Sequence, residues 1–348
     1  MTFIRHFFIF FAFMFLSLSV SAANSMLRIA CDGDSVGAGI SINGQFKGEC
    51  PLDIATPAGK LNLRASISVD SERERVFEQE IHLGGDVVKR VEIQLSLPRY
   101  KPEVRQKKED RLSKVVVEFR NRGVEPGNGK RFRDCPDCPE LVLLPFFDFG
   151  KFNGQTNQEY PLVDHLMAVG AYPITFDEWD LCERDDVCPH AEETPSVDPK
   201  SIGRGRKPVV NVSWTDIQFY LNWLSKKSGK TYKLLSEGEW LFSCKAGTIS
   251  SPYCGGDNLN SVAWYDGNSG QATHPVGSKN PNSWGLYDMS GNVWEWTSDC
   301  YSQDCIFRVL RGGSWLNNEQ ELHLTNRYWA SVESRYTDSG FRAMRIVP

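Results

Sequence analysis

The cysteines constrain this chain most. There are ten, and they fall as near neighbours: Cys31 and Cys50, Cys135 and Cys138, Cys182 and Cys188, Cys244 and Cys254, Cys300 and Cys305. Thiols oxidise to disulfides outside the cytosol and stay reduced within it, so the compartment decides what the pattern means. The first residues bear on that. Arg5 and His6 precede an apolar run from Phe7 to Leu18, and small residues follow from Ser19 to Ala23. A charged start, a short apolar stretch and an A-x-A-like site are the parts of a secretory signal peptide, placed at residues 1–23. The run is shorter than the roughly 20 residues an ordinary transmembrane helix needs. An uncleaved anchor is the alternative. A periplasmic or extracellular protein is expected, with no transmembrane anchor after signal cleavage.

Sequential pairing is the simplest disulfide connectivity, though the sequence does not fix it. Cys135-Pro-Asp-Cys138 could instead be a redox motif or half a zinc site. Pro136 and Pro139 favour a loop over a helix start there, and no second Cys-x-x-Cys follows. On the loop-entropy model each short loop gains about 3 kcal/mol or less from its bridge. Such bridges pin loops rather than hold the whole fold. The net charge of -5 argues for neither nucleic acid nor acidic lipid as a partner.

Residues 24–97 read as strands. Leu27 to Ala30, Gly39 to Ile42, Leu61 to Ala65 and Val91 to Leu95 alternate, and Asn43-Gly44 is a strong hairpin signal. Residues 98–133 are bracketed by Pro98, Pro102 and Pro126 and carry Lys107, Lys108, Arg120, Arg122, Lys130, Arg131 and Arg133. They read as a basic linker, with a short strand or helix between Leu112 and Phe119. Residues 134–348 are rich in Gly, Trp and Asn, with two clear helices. Ser213 caps one in which Ile217, Tyr220, Leu221 and Leu224 recur at helical spacing, and Gly229 closes it. Ser236 with Glu239 forms a capping box for the other, whose Trp240, Leu241 and Cys244 face inward.

The stretch Ile42-Asn43-Gly44-Gln45-Phe46-Lys47-Gly48-Glu49-Cys50-Pro51-Leu52, with Ala58-Gly59-Lys60, resembles a PEGA-type module, a small β-sandwich of exported proteins. It carries no clustered chemistry and reads as a spacer or adhesion module. The large segment carries Pro208 to Trp214, Leu234 to Trp240, Asn282 to Trp296, Arg311-Gly312-Gly313-Ser314-Trp315 and Gly340-Phe341-Arg342. In that order these motifs resemble the sulfatase-modifying factor, or formylglycine-generating enzyme, family. The resemblance implies an α+β chain: an irregular C-type-lectin-like variant, the formylglycine-generating enzyme fold, behind a small N-terminal all-β sandwich.

That family includes enzymes that oxidise a sulfatase cysteine with copper held by two cysteines, and it includes members with other roles. Fold alone does not choose among them. The copper cysteines follow the Gly-Gly-Ser-aromatic motif. Here Asn317 and Leu322 stand at those places, and no cysteine follows Cys305. Neither residue supplies the thiolate that Cu(I) requires. Iron has little support, because His165, His190, His274 and His323 lack ligand spacing. The family's calcium loop corresponds to Asp288, Gly291, Val293 and Glu295, two carboxylates and two carbonyls suited to a hard cation. The other reading is that both carboxylates bond neighbouring groups. Asp257, Asp266 and Asn268 read as polar turns more readily than as a second cation site. A candidate cleft would carry Trp315, Asn317, Asn318, Asn326, Arg327, Tyr328 and Trp329, which suit a sugar, a peptide or a packed turn. Arg327 and Arg342 could pair with internal carboxylates. The expectation is a non-catalytic binding or accessory protein of the envelope, with a protein or glycan partner and structural calcium. The alternative is an envelope oxidoreductase of the same family using another chemistry.

Overall fold

The computed structural model describes residues 24–31, 33–96, 98–145, 166–191, 203–248 and 251–347. The signal-peptide expectation for residues 1–23 and His165 lie outside the described residues. The chain divides into two units, residues 1–107 and 108–348.

In the first unit, β1 (Asn24–Cys31) lies between β4 (Leu52–Pro57) and β7 (Val88–Ile93). A second sheet runs β3-β2-β5-β6-β8, from β2 (Gly39–Ile42), β3 (Gln45–Glu49), β5 (Gly59–Ser68), β6 (Arg73–Leu83) and β8 (Arg99–Tyr100). Alternation explains the core. Leu27, Ile29, Val91 and Ile93 from the first sheet and Ile40, Ile42, Leu61, Leu63 and Ile81 from the second share one buried cluster. Asn43 and Gly44 both have positive φ between β2 and β3, the geometry a two-residue hairpin requires.

Residues 98–133 differ from the linker expected. They form β8, then α1 (Pro102–Asn121), then β9 (Arg131–Phe132), which joins a sheet of the second unit. Pro102 opens the helix, where a missing N–H costs nothing. Leu112, Val115, Val116 and Phe119 recur at helical spacing and pack against the second unit's core. The helix contains the Leu112–Phe119 stretch read as a short strand or helix and extends well beyond it towards Pro102.

The second unit holds an antiparallel sheet ordered β12-β17-β11-β10-β9, with β10 (Leu141–Leu143), β11 (Leu166–Gly170), β12 (Tyr232–Leu234) and β17 (Ala343–Val347). Both faces of β11 are buried. Three capped helices pack around it: α2 (Phe176–Arg184), α3 (Trp214–Ser228) and α4 (Glu237–Lys245). Thr175, Ser213 and Ser236 form capping boxes with Glu178, Asp216 and Glu239, and Gly229 closes α3 in the left-handed region. Trp179 stacks on Tyr220 at 5.5 Å, and Phe341 meets both edge-on. A second sheet, ordered β15-β14-β13-β16, comprises β13 (Trp294–Cys300), β14 (Phe307–Arg311), β15 (Tyr328–Ser331) and β16 (Ser339–Phe341).

All five disulfides pair sequence neighbours: Cys31–Cys50, Cys135–Cys138, Cys182–Cys188, Cys244–Cys254 and Cys300–Cys305. No cysteine is free. Cys135 and Cys138 form a bridged turn, which leaves no free thiolates there for half a zinc site. Among the described residues, no helix is long and apolar enough to cross a membrane.

Candidate functional site

The Gly-Gly-Ser-Trp motif ends β14 and turns sharply. Gly312 and Gly313 take positive φ, and a Cβ on Gly313 would meet Leu322 at 3.0 Å. Asn317 and Leu322, the residues at the expected copper-cysteine positions, pack around this turn. Asn317 Oδ1 accepts from the backbone N–H and the hydroxyl of Ser314, each at 2.8 Å. Leu322 is buried with Leu259, Val262 and Ala263. Ser314 Oγ also lies 2.9 Å from Asp338 Oδ2. One hydroxyl proton cannot serve both acceptors. Burial raises the Asp338 pKa, against the pull of its hydrogen bonds to the Ser314 and Ser339 hydroxyls.

The rest of the candidate cleft does not gather in one place. Trp315 is buried, and its Nε1 donates to the Thr337 carbonyl at 3.4 Å. Asn318 caps a short 3-10 turn over Glu319–Leu322. Asn326 Nδ2 donates to the Gln320 carbonyl at 2.6 Å. Tyr328 pairs across the ladder with Leu310, and Trp329 with Val309. Neighbouring residues of a strand point to opposite faces, so Tyr328 lies against Trp294 while Trp329 lies on the other side. The one-cleft expectation fails on that alternation.

What the sheet brings together is a different group, formed around Arg327 and Trp329. Trp329 stacks on Tyr301 at 5.3 Å and meets Phe307 edge-on at 4.9 Å. The Arg327 guanidinium lies 5.0 Å from the Tyr301 ring centre. Its Nε donates to Glu237 Oε1 at 2.8 Å, as the Nε of buried Arg311 does. Asp299 accepts from the Glu237 backbone N–H at 2.6 Å, at the first turn of α4. Glu237 and Arg311 stand in the family motifs but were not read as site residues, and Tyr301 was not singled out at all. The available signal was Cys300 and Cys305 bracketing an exposed Tyr.

Of the expected calcium ligands, Asp288, Gly291 and Val293 lie in the loop before β13, and Glu295 lies in β13 itself. Asp288 and Glu295 are both buried. Asp288 Oδ2 accepts from Gly277 N at 2.7 Å, and its Oδ1 has only a long 3.5 Å contact with Asn292. Burial pushes the Asp288 pKa up to about 6 against the pull of that amide and of Arg342. Glu295 is committed elsewhere. Arg342 Nη2 reaches Glu295 Oε1 at 2.6 Å, and Trp240 Nε1 donates to Oε2 at 2.7 Å. Arg342 is wholly buried and also donates to the carbonyls of Gly170 and Tyr287. Asp288 and the carbonyls of Gly291 and Val293 fit a hard cation by kind; Glu295 would have to share its oxygens with Arg342.

Of the other candidates, His274 stacks on Trp264 at 3.6 Å, with Lys279 3.9 Å from the same ring. His190 bonds Glu183, and His323 bonds Thr325. Asn268 closes a turn through Tyr265 N and the Ala263 carbonyl, as expected of a polar turn. Among the described residues, no group of three or more His, Cys, Asp or Glu side chains could hold a metal.

Residues 47–347 match the family model described as the sulfatase-modifying factor enzyme 1-like domain. A formylglycine-generating enzyme of Streptomyces coelicolor is 32% identical over 39% of this chain and 49% of its own length. An inactive C-alpha-formylglycine-generating enzyme 2 of Bos taurus is 33% identical over 39% of this chain and 49% of its own. The chain thus spans about half the length of these curated relatives. The solved structure of PvdO from Pseudomonas aeruginosa superposes with a TM-score of 0.53 at 30% identity, over 63% of this chain and 99% of that one.

Proposed function

The chain belongs to the sulfatase-modifying factor enzyme 1-like family, and on that premise we propose that it is an exported, non-catalytic binding or accessory protein of the cell envelope. One observation carries the reading. The positions where copper thiolates would stand are filled by Asn317, which closes the Ser314 turn, and by Leu322, which is core. Every cysteine elsewhere in the chain is in a disulfide. Soft-metal chemistry on a substrate thiol has no ligand set to work with. An inactive relative within the family makes such a loss unexceptional.

Five short-range disulfides suit an oxidising compartment, and the apolar leader at residues 1–23 supplies the route to it. In this reading the first unit is a PEGA-type spacer that presents the larger one. The test is incubation of the purified mature chain with copper, oxygen and a sulfatase-type cysteine peptide, read by mass spectrometry. The expected result is unchanged peptide; catalytic conversion to formylglycine would overturn the reading.

Structural calcium at Asp288, Gly291, Val293 and Glu295 belongs to the same proposal. Its support is the buried Asp288 carboxyl, whose raised pKa a cation would lower. Calcium titration followed by melting temperature decides: a saturable rise supports the site, and equal melting in calcium and in chelator removes it.

A further inference from the structure

Tyr301 and Trp329 stand out among the aromatic residues because they are both open and held. Each keeps 43% of its surface exposed. The loop that carries Tyr301 is closed by Cys300–Cys305 and by hydrogen bonds from Tyr301 N to the Phe307 carbonyl and from Val332 N to the Ile306 carbonyl. The ring pair is therefore fixed before any ligand arrives, so binding costs little ordering entropy. Beside it, Arg327 spends only its Nε on Glu237, and among the described residues its terminal nitrogens take no partner. Two guanidiniums share Glu237 Oε1, and the α4 N-terminus adds partial positive charge, offset by Asp299. An aromatic face next to a guanidinium fork with free N–H groups has the chemistry to recognise a flat C–H surface that bears an anionic group.

We propose that Tyr301, Trp329 and Arg327 form a binding site for an acidic sugar, a hexopyranoside carrying a carboxylate or a sulfate. One ring face of the sugar lies against the aromatic pair, and the anionic group takes the free nitrogens of Arg327. Size favours a sugar over a protein. The open apolar side chains here are Tyr301, Ile306 and Trp329, on the order of 300 Å² of surface, whereas a stable protein partner covers about 800 Å² on each side. The site gives a ligand class to the non-catalytic binding reading and rests on it. The two fail separately, since formylglycine production leaves this site untouched and a silent sugar experiment leaves the missing thiolates unchanged.

The test is saturation-transfer NMR on the full mature chain with methyl α-galacturonide, galactose 6-sulfate and neutral methyl α-galactoside. Transfer to the ring protons of the acidic sugars is expected, with the neutral sugar about tenfold weaker, the loss of one charge-assisted bond. Response to the galacturonide alone, the sulfate alone or both supports the site and identifies the anion. Arg327→Gln and Trp329→Ala should each lower the signal about tenfold, and Arg327→Lys should keep part of it. Circular dichroism confirms that the variants are folded, and Tyr301→Ala serves if Trp329→Ala is not. The proposal falls if no sugar responds, if neutral and acidic sugars respond alike, if Arg327→Gln binds as well as the wild type, or if an oligoglutamate peptide competes the sugars off.

Discussion

Replacing Arg342 with Met should destabilise the second unit more than any other single exchange considered for this chain. The guanidinium is fully buried and serves three elements at once: Glu295 on β13, the Gly170 carbonyl at the end of β11 and the Tyr287 carbonyl in the preceding loop. Methionine fills most of the space but makes none of these bonds. Glu295 is then left buried, with Trp240 Nε1 as its remaining donor. Removing one partner of a buried ion pair costs about 3–5 kcal/mol, because the other charge stays uncompensated. For a unit of this size, each kcal/mol moves the melting temperature by roughly 2–4 °C. The expected fall is therefore about 6–20 °C, read by tryptophan fluorescence in a thermal melt. Arg342→Met combined with Glu295→Leu removes both charges and should recover part of the loss. The reasoning is refuted if Arg342→Met lowers stability by less than about 1 kcal/mol, the range of a surface pair, or if the double variant is no more stable than Arg342→Met.

Asp288 and two local features give further checks. The Asp288 pKa of about 6 lies above its unfolded value of 3.8, so the folded chain holds its proton more tightly and this stabilisation is lost as pH rises through 6. The term is on the order of 2–3 kcal/mol, and Asp288→Asn should flatten the fall in melting temperature between pH 4 and pH 7 measured without calcium; an unchanged profile contradicts it. At Gly291 a Cβ would sit 2.2 Å from the Trp264 carbonyl oxygen, in a left-handed backbone. Gly291→Ala should cost about 2–4 kcal/mol by denaturant titration, and a cost below the error of the method would show that the loop gives way. Cys300→Ser with Cys305→Ser should cost less than about 3 kcal/mol while raising hydrogen exchange around Tyr301.

The parts of the fold legible in the sequence are those set by local chemistry. Capping boxes at Ser213 and Ser236, the left-handed Gly229 and the Asn43-Gly44 hairpin follow from adjacent residues, and the cysteines form the simplest connectivity the sequence offered, though it did not fix it. The Thr175 and Glu178 box of α2 has the same signature, yet that helix was not drawn from it. In α1 the apolar stripe within Leu112–Phe119 marked a short element, while the charged residues before it gave no sign that the helix runs from Pro102. The candidate cleft was illegible for another reason. Which face Tyr328 and Trp329 point to depends on a ladder register set across β14, and Arg327 meets Glu237 across 90 residues of sequence. No local pattern encodes either.

The separation of the paired cysteines, never more than 19 residues, also bears on how the chain would oxidise. In the exported reading proposed above, a polypeptide threaded N-terminus first across a membrane presents each thiol to its own partner before the next pair emerges. Oxidation can then keep pace with translocation, and mispaired forms, with the isomerase that would repair them, need play no part. Each covalent ring is complete within its own stretch of chain, so the long-range sheet pairing of the second unit can assemble afterwards around loops already closed.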